Sequence, residues 1–182
     1  MITSVDRDDL PDGGAEIWAQ TVRAIRHQSP GTTLETLIPD FAGKWDNLQK
    51  IIQVAPEVVS HNLETVRRMT KAVRIQAKYD RSLEVIKRLS DTGIRSKSGV
   101  MLGLGETYDE VVETMEDLRS VGCQVVTLGQ YLQPTPKHLP VAEFVHPDTF
   151  SKLEALGQEM GFRHVESGPL VRSSYHAEKH LL

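Results

Sequence analysis

Short, β-branched apolar runs alternate along this chain with longer segments whose apolar positions recur every three or four residues. The short runs predict strands over residues 2–5, 32–37, 58–62, 94–101 and 125–128. The longer segments predict helices between them. Ile17 or Trp18, Thr21 or Val22, and Ile25 follow Gly13 and Gly14, while Trp45, Leu48, Ile51, Ile52 and Ala55 form a stripe stopped by Pro56. Leu83, Ile86 and Leu89 share a face and end at Gly93. Thr107-Tyr108-Asp109-Glu110 reads as a capping box opening a helix with Val111, Met115 and Leu118 inward and Gly122 at its end. Residues 64–78 are irregular and basic. Strand and helix thus alternate five times with short connections, which predicts the α/β class and a partial parallel (β/α) barrel over residues 1–133. Pro134, Pro136 and Pro140 then break the repeat, and residues 134–182 read as an extension of the same unit, with a helix over 147–160 and a short strand over 162–165.

In a parallel β/α barrel the working groups sit on loops at the C-terminal ends of the strands. The polar residues fall there: Asp6, Arg7, Asp8 and Asp9 after the first strand, Glu35 at the second, His61, Asn62 and Glu64 after the third, Glu106 after the fourth, Gln130 and Tyr131 after the fifth. Each also has a structural reading. Gly103 and Gly105 permit either a tight turn or a close approach to a ligand at a helix N-terminus, with Glu106 as ligand contact or cap. His61 is equally a hydrogen-bonded core histidine, Tyr131 a rim packing residue, and Arg7 and Lys97 partners for Asp8, Asp9 or Glu106. Asp8, Glu35, His61, Glu64 and Glu106 together would suit a hard divalent ion.

Composition narrows the classes. A length of 182 residues fits one domain, and a net charge of -4 with scattered cations gives no nucleic-acid footprint. No apolar run is long enough to cross a membrane, and the charged opening residues are no signal peptide, so a soluble cytoplasmic protein is expected. Cys123 is the sole cysteine, which excludes an intrachain disulfide and any cluster held wholly by this chain's thiolates. Following a helix-ending glycine, it reads as a small buried hydrophobe.

Residues 168–175 (GPLVRSSY) combine a turn, two apolar anchors in Leu170 and Val171, a cation and three hydroxyls, and are expected to fold back over the barrel mouth. With this block, TSVDRDDL at 3–10, HNLET at 61–65, KSGVMLGLGE at 97–106, QYLQP at 130–134 and HLPV at 138–141, the chain resembles the C-terminal portion of the lipoyl synthase family of radical S-adenosylmethionine (SAM) enzymes. The resemblance implies that both of the family's cysteine triads, and the first barrel strand, belong to sequence upstream of the matched region. It further implies a SAM pocket formed by Asn62, Glu64, Lys97, Ser98, Gly103, Gly105, Glu106 and Gln130, and Ser174 as a ligand to an iron of an auxiliary [4Fe-4S] cluster. The implied reaction is sulfur insertion at C6 and C8 of a protein-bound octanoyl group. A SAM-bound [4Fe-4S] cluster would generate the 5′-deoxyadenosyl radical and the auxiliary cluster would donate sulfur. The implied partners are an octanoylated lipoyl carrier domain or glycine-cleavage H protein and an electron donor such as ferredoxin or flavodoxin. The alternative is a non-catalytic barrel fragment or subunit that needs an N-terminal partner chain for its clusters.

Overall fold

A computed structural model describes residues 1–181. Six parallel strands pair in chain order: β1 (Ile2–Thr3), β2 (Glu35–Leu37), β3 (Val58–Ser60), β4 (Arg95–Leu102), β5 (Val125–Gln130) and β6 (His164–Gly168). Helices α1 (Ala15–Gln28), α2 (Trp45–Val54), α3 (Thr70–Val73), α4 (Tyr79–Asp91), α5 (Tyr108–Ser120) and α6 (Pro147–Glu159) connect them. This is the α/β, partial parallel barrel that the alternation of apolar periods predicts, with one more strand than its five full repeats.

Strand periodicity assigns the two faces. Val100 and Leu102 of β4, Val126 and Leu128 of β5 and Val165 of β6 meet Ile86, Val111, Met115, Leu118, Phe150 and Leu153 in one buried cluster. A second, around Trp18, Phe41, Leu48, Ile51, Val59, Val85 and Leu89, serves β1 to β3. The opposite parity forms the inner face: Ser60, Lys97, Val125 and His164 are successive partners across four strands, and Gly99, Thr127 and Glu166 make the next row.

Local signals act as their chemistry requires. Thr107 and Glu110 make both hydrogen bonds of the capping box, and Glu110 also accepts from Arg68 at 2.6 and 2.9 Å. Those bonds from Arg68 and the Thr107 cap hold the Glu110 carboxyl at about 2. Gly122 closes α5 at φ 81°, a conformation that β-carbon sterics disfavour. In α1 the buried stripe runs through Ala15, Trp18, Ala19 and Val22, leaving Ile17 exposed. β1 stops at Thr3, earlier than the apolar run, because residues 4–6 have no strand partner. β6 starts two residues later than the expected strand and runs three beyond it, carrying its ladder to Gly168 opposite Gly129.

Candidate functional site

The C-terminal ends of β3, β4 and β5 surround a cavity of about 430 Å³, and residues 171–173 close one side of it. Asn62, Glu64, Gly99, Met101, Thr127, Gly129 and Gln130 line it together with Val171, Arg172 and Ser173. The closing segment rests on backbone. A Cβ at Gly129 would come within 2.5 Å of the Val171 carbonyl oxygen, so only glycine lets the strap sit this close to β5. Val171 is the anchor and is 7% exposed, whereas Leu170, the other expected anchor, is 82% exposed. The reason is geometric: Val171 N donates to Gly168 O in a turn that sends only the second apolar side chain inward.

Glu64 is the most unusual residue in the cavity wall. Its φ of 67° lies in the left-handed region, which costs a non-glycine residue on the order of 1–3 kcal/mol. β4 holds it there: Glu64 N donates to Gly99 O at 2.9 Å and Met101 N to Glu64 O at 2.8 Å. Burial pushes its carboxyl above the ordinary range, and Asn62 Nδ2, donating to Oε1 at 3.1 Å, opposes that only in part. Asn62 is held from behind by Arg74, whose Nη1 donates to the carbonyls of Asn62 at 2.9 Å and Leu63 at 3.4 Å. Its own Oδ1 is buried and has no hydrogen-bond partner. Gly99 makes room for that oxygen, since a Cβ there would lie 2.9 Å from it and 2.8 Å from Thr127 Oγ1. The cavity therefore presents a buried, unpartnered acceptor beside a half-buried carboxyl, a pair that suits a ligand bearing an ammonium or hydroxyl groups.

The remaining expected residues divide. Gln130 lines the cavity, but its Nε2 donates to Tyr131 O and Glu143 O at 3.0 Å each and its Oε1 accepts from Val145 N at 2.9 Å. It ties the proline-rich excursion to β5. Gly103 (φ 96°) and Gly105 (φ 109°) form the turn after β4, where Glu106 accepts from the N–H of Gly103 at 2.5 Å and of Leu104 at 2.9 Å. Tyr131 is buried at the rim and donates to Leu139 O at 2.8 Å. Ser98 lies within β4, its Oγ accepting from Leu63 N at 3.2 Å. Ser174 is exposed, next to the cavity-lining Ser173.

Lys97 stands apart from the cavity. It is 0% exposed on the inner face and donates to Glu35 Oε1 at 2.6 Å and to Ser173 O, with its Nζ 3.1 Å from His180 Nδ1. Glu35 also accepts from Ser60 Oγ at 2.7 Å. Burial alone would raise the Glu35 carboxyl, but the bonds from His180, Lys97 and Ser60 outweigh it and hold the group low. Asp8, Glu35, His61, Glu64 and Glu106 do not form one metal site. His61 is buried between Ile38 O and Ser82 Oγ, 2.9 Å from each, and Glu35 belongs to the lysine. Among the described residues only His164, Glu166 and His180 bring three such donor groups together. A second cavity of about 310 Å³, at the ends of β1 and β2, is lined by Asp6, Arg7, Asp8, Asp40, Lys44 and Arg81 among others; Arg81 Nε donates to Asp40 at 2.6 Å there, and Arg7 to Asp9 at 2.6 and 2.7 Å. The Cys123 thiol is fully buried, pushed up to about 12 by that burial, and donates to Val125 O at 3.3 Å. It is a core residue and no cluster ligand.

Arg74, Thr127 and Gly129 were not singled out by the sequence. A glycine inside a strand is the one signal among them, since it marks a close backbone approach. Arg74 sits in the basic stretch without periodicity, and Thr127 resembles any strand threonine.

A family profile described as the Radical SAM superfamily matches residues 1–118. Over its whole length the chain is 67% identical to the lipoyl synthase of Flavobacterium johnsoniae, covering 64% of that protein. It is 64% identical to the mitochondrial lipoyl synthase of Nematostella vectensis, of which it covers 62%. The chain thus spans less than two thirds of these relatives. In fold it is similar to a domain of pyruvate-formate lyase-activating enzyme from Bacteroides vulgatus, with a TM-score of 0.66 at 12% identity over 90% of this chain and 97% of that one. A methylornithine synthase gives a TM-score of 0.62 at 13% identity, over 87% of this chain and 54% of the other.

Proposed function

The chain belongs to the radical SAM superfamily, and from that premise we propose that it forms the SAM-binding part of a lipoyl synthase, which inserts sulfur at C6 and C8 of a protein-bound octanoyl group. The carrying observation is the buried, unpartnered Oδ1 of Asn62 beside the half-buried carboxyl of Glu64 at the mouth of the sheet. These two acceptors fit the ammonium and ribose hydroxyls of SAM. Held there by Asn62 and Glu64, SAM would supply, once cleaved by one-electron reduction, the radical chemistry of hydrogen-atom abstraction.

The chain's own residues supply position and shelter. Arg74 and the β4 ladder fix Asn62 and Glu64 before ligand arrives, so little orientational freedom is lost on binding. Gly99 leaves the space that Asn62 Oδ1 faces, and Gly103, Gly105 and Glu106 shape the turn above it. Gln130 holds residues 143–145 beside the rim, and the strap at 171–173 covers one side, together limiting water access. Ser98 supports the loop through Leu63, and Lys97 supports the strap through Ser173 O rather than touching the cavity. Ser174, exposed beside that strap, is the hydroxyl offered to an iron of an auxiliary cluster.

The residues here do not fit a thiolate-held [4Fe-4S] cluster, since Cys123 is alone and buried. We therefore assign the cluster thiolates to polypeptide outside this sequence, either the rest of the same protein or a separate N-terminal partner chain. An octanoylated lipoyl carrier domain or glycine-cleavage H protein as substrate, ferredoxin or flavodoxin as donor, and a cytoplasmic setting complete the proposal. Among the described residues no helix is long and apolar enough to cross a membrane.

The test is complementation in trans. This chain is combined anaerobically with the remaining segment of the F. johnsoniae relative, iron, sulfide, SAM, reductant and an octanoylated carrier domain. Mass spectrometry showing two sulfurs added to the octanoyl group supports the proposal. A reconstituted mixture with intact clusters and bound SAM but no added sulfur refutes it.

A further inference from the structure

Toward the N-terminal ends of β5 and β6 the C-terminal segment turns into the sheet and brings His180 against the inner face. Arg95 donates to the His180 carbonyl, and the His164 and His180 ring centroids lie 5.1 Å apart. We propose that His164, Glu166 and His180 form a binding site for a borderline divalent cation of the zinc class. None of the three lines the SAM cavity, so the inference stands apart from the function proposed above.

Two observations carry it. Each residue offers one ligand atom, and these atoms all lie within 4.8 Å of one another. The His180 side chain is 0% exposed, and its Nε2 has no hydrogen-bond partner. A buried imidazole nitrogen with nothing to bond has lost its hydration without compensation, and a metal ion would satisfy it. The other nitrogen, Nδ1, lies 3.3 Å from Glu35 Oε2. A carboxylate behind a ligating histidine fixes the tautomer with the proton on Nδ1 and leaves Nε2 free to bind metal.

The donor set selects the metal class. Two imidazoles and one carboxylate suit zinc and its neighbours, with a coordination position left for water. Donors on a tetrahedral zinc, with bonds of about 2.0–2.2 Å, stand about 3.3 Å apart. His164 Nε2 and Glu166 Oε1 are 2.8 Å apart, so that contact opens by about half an ångström while the wider separations close. Lys97 Nζ, 3.1 Å from His180 Nδ1, opposes the cation, and its pairing with Glu35 offsets this.

Untagged, chelator-treated chain is titrated with Co²⁺, followed by its visible d–d absorption, and the bound Co²⁺ is then displaced by Zn²⁺. Saturation at one ion per chain is expected, with His164→Ala, Glu166→Gln and His180→Ala each weakening binding roughly tenfold or more. Because His180→Ala also empties part of the interior, Glu166→Gln at the half-buried ligand is read beside it. Zn²⁺ should raise the melting temperature of the unsubstituted chain and leave that of Glu166→Gln unmoved. No saturable absorption, or Glu166→Gln binding Co²⁺ as the unsubstituted chain does, would overturn the proposal.

Discussion

Replacing Lys97 by Met tests whether a lysine at the centre of the sheet is structural. The ammonium is 0% exposed, and its removal strands the Glu35 carboxylate, 5% exposed, inside the barrel. Breaking a buried pair from one side costs about 3–5 kcal/mol, because the remaining charge is left without its partner. Glu35 keeps the hydroxyl of Ser60 at 2.7 Å and the His180 ring at 3.3 Å, which points to the lower end, about 3 kcal/mol. With a urea slope of about 2 kcal/mol/M, the midpoint should fall by about 1.5 M. Adding Glu35→Gln removes the orphaned charge while keeping an acceptor for Ser60, so the double variant should recover at least about 2 kcal/mol of the loss. SAM affinity, measured on each variant while folded, should fall less than in Asn62→Ala, since the lysine does not line the cavity and reaches it only through Ser173 O of the strap. A single variant costing under about 1 kcal/mol, or a double variant no more stable than the single, would refute the buried-pair reasoning.

Glu64→Gln should stabilise the ligand-free chain at neutral pH and abolish the gain in melting temperature that SAM confers, both read by thermal denaturation. The folded-state carboxyl is raised, so its ionised form is penalised above the unfolded value of 4.5, and a neutral amide removes that penalty. Glu35 has the opposite sign: held low in the fold, it contributes stability above 4.5 that is lost as pH falls through its folded-state value. Urea midpoints from pH 7 downward should therefore drop less for the Glu35→Gln, Lys97→Met double variant than for the unsubstituted chain. Gly129→Ala puts a Cβ against the Val171 carbonyl and should unseat residues 171–173, detected as faster proteolysis after Arg172 with the circular dichroism of the sheet retained.

The architecture was legible because it rests on local periodicity. Every helix with an apolar stripe and a glycine or proline stop appears within a few residues of its expected place, and the Thr107 capping box needed only four residues to declare itself. The cavity was half legible. Asn62 and Glu64 stand at a strand's mouth, where the barrel rule places function, but the left-handed twist of Glu64 depends on a ladder to β4 across 35 residues of chain. Lys97 misled for a physical reason. It occupies an inner-face position of β4 in a block shared with the family, and the carboxylate that neutralises it lies 62 residues earlier. His180 gave no local signal, because its burial depends on the whole C-terminal segment turning into the sheet.

The central claim is met most directly by titrating this chain with SAM in an isothermal calorimeter, alongside Asn62→Ala and Glu64→Ala. Saturable one-to-one binding to the unsubstituted chain is expected, with roughly tenfold or greater loss for each variant, as when a hydrogen-bonding partner of a ligand is removed. Absent binding by a folded chain, or equal affinity in all three proteins, would contradict it.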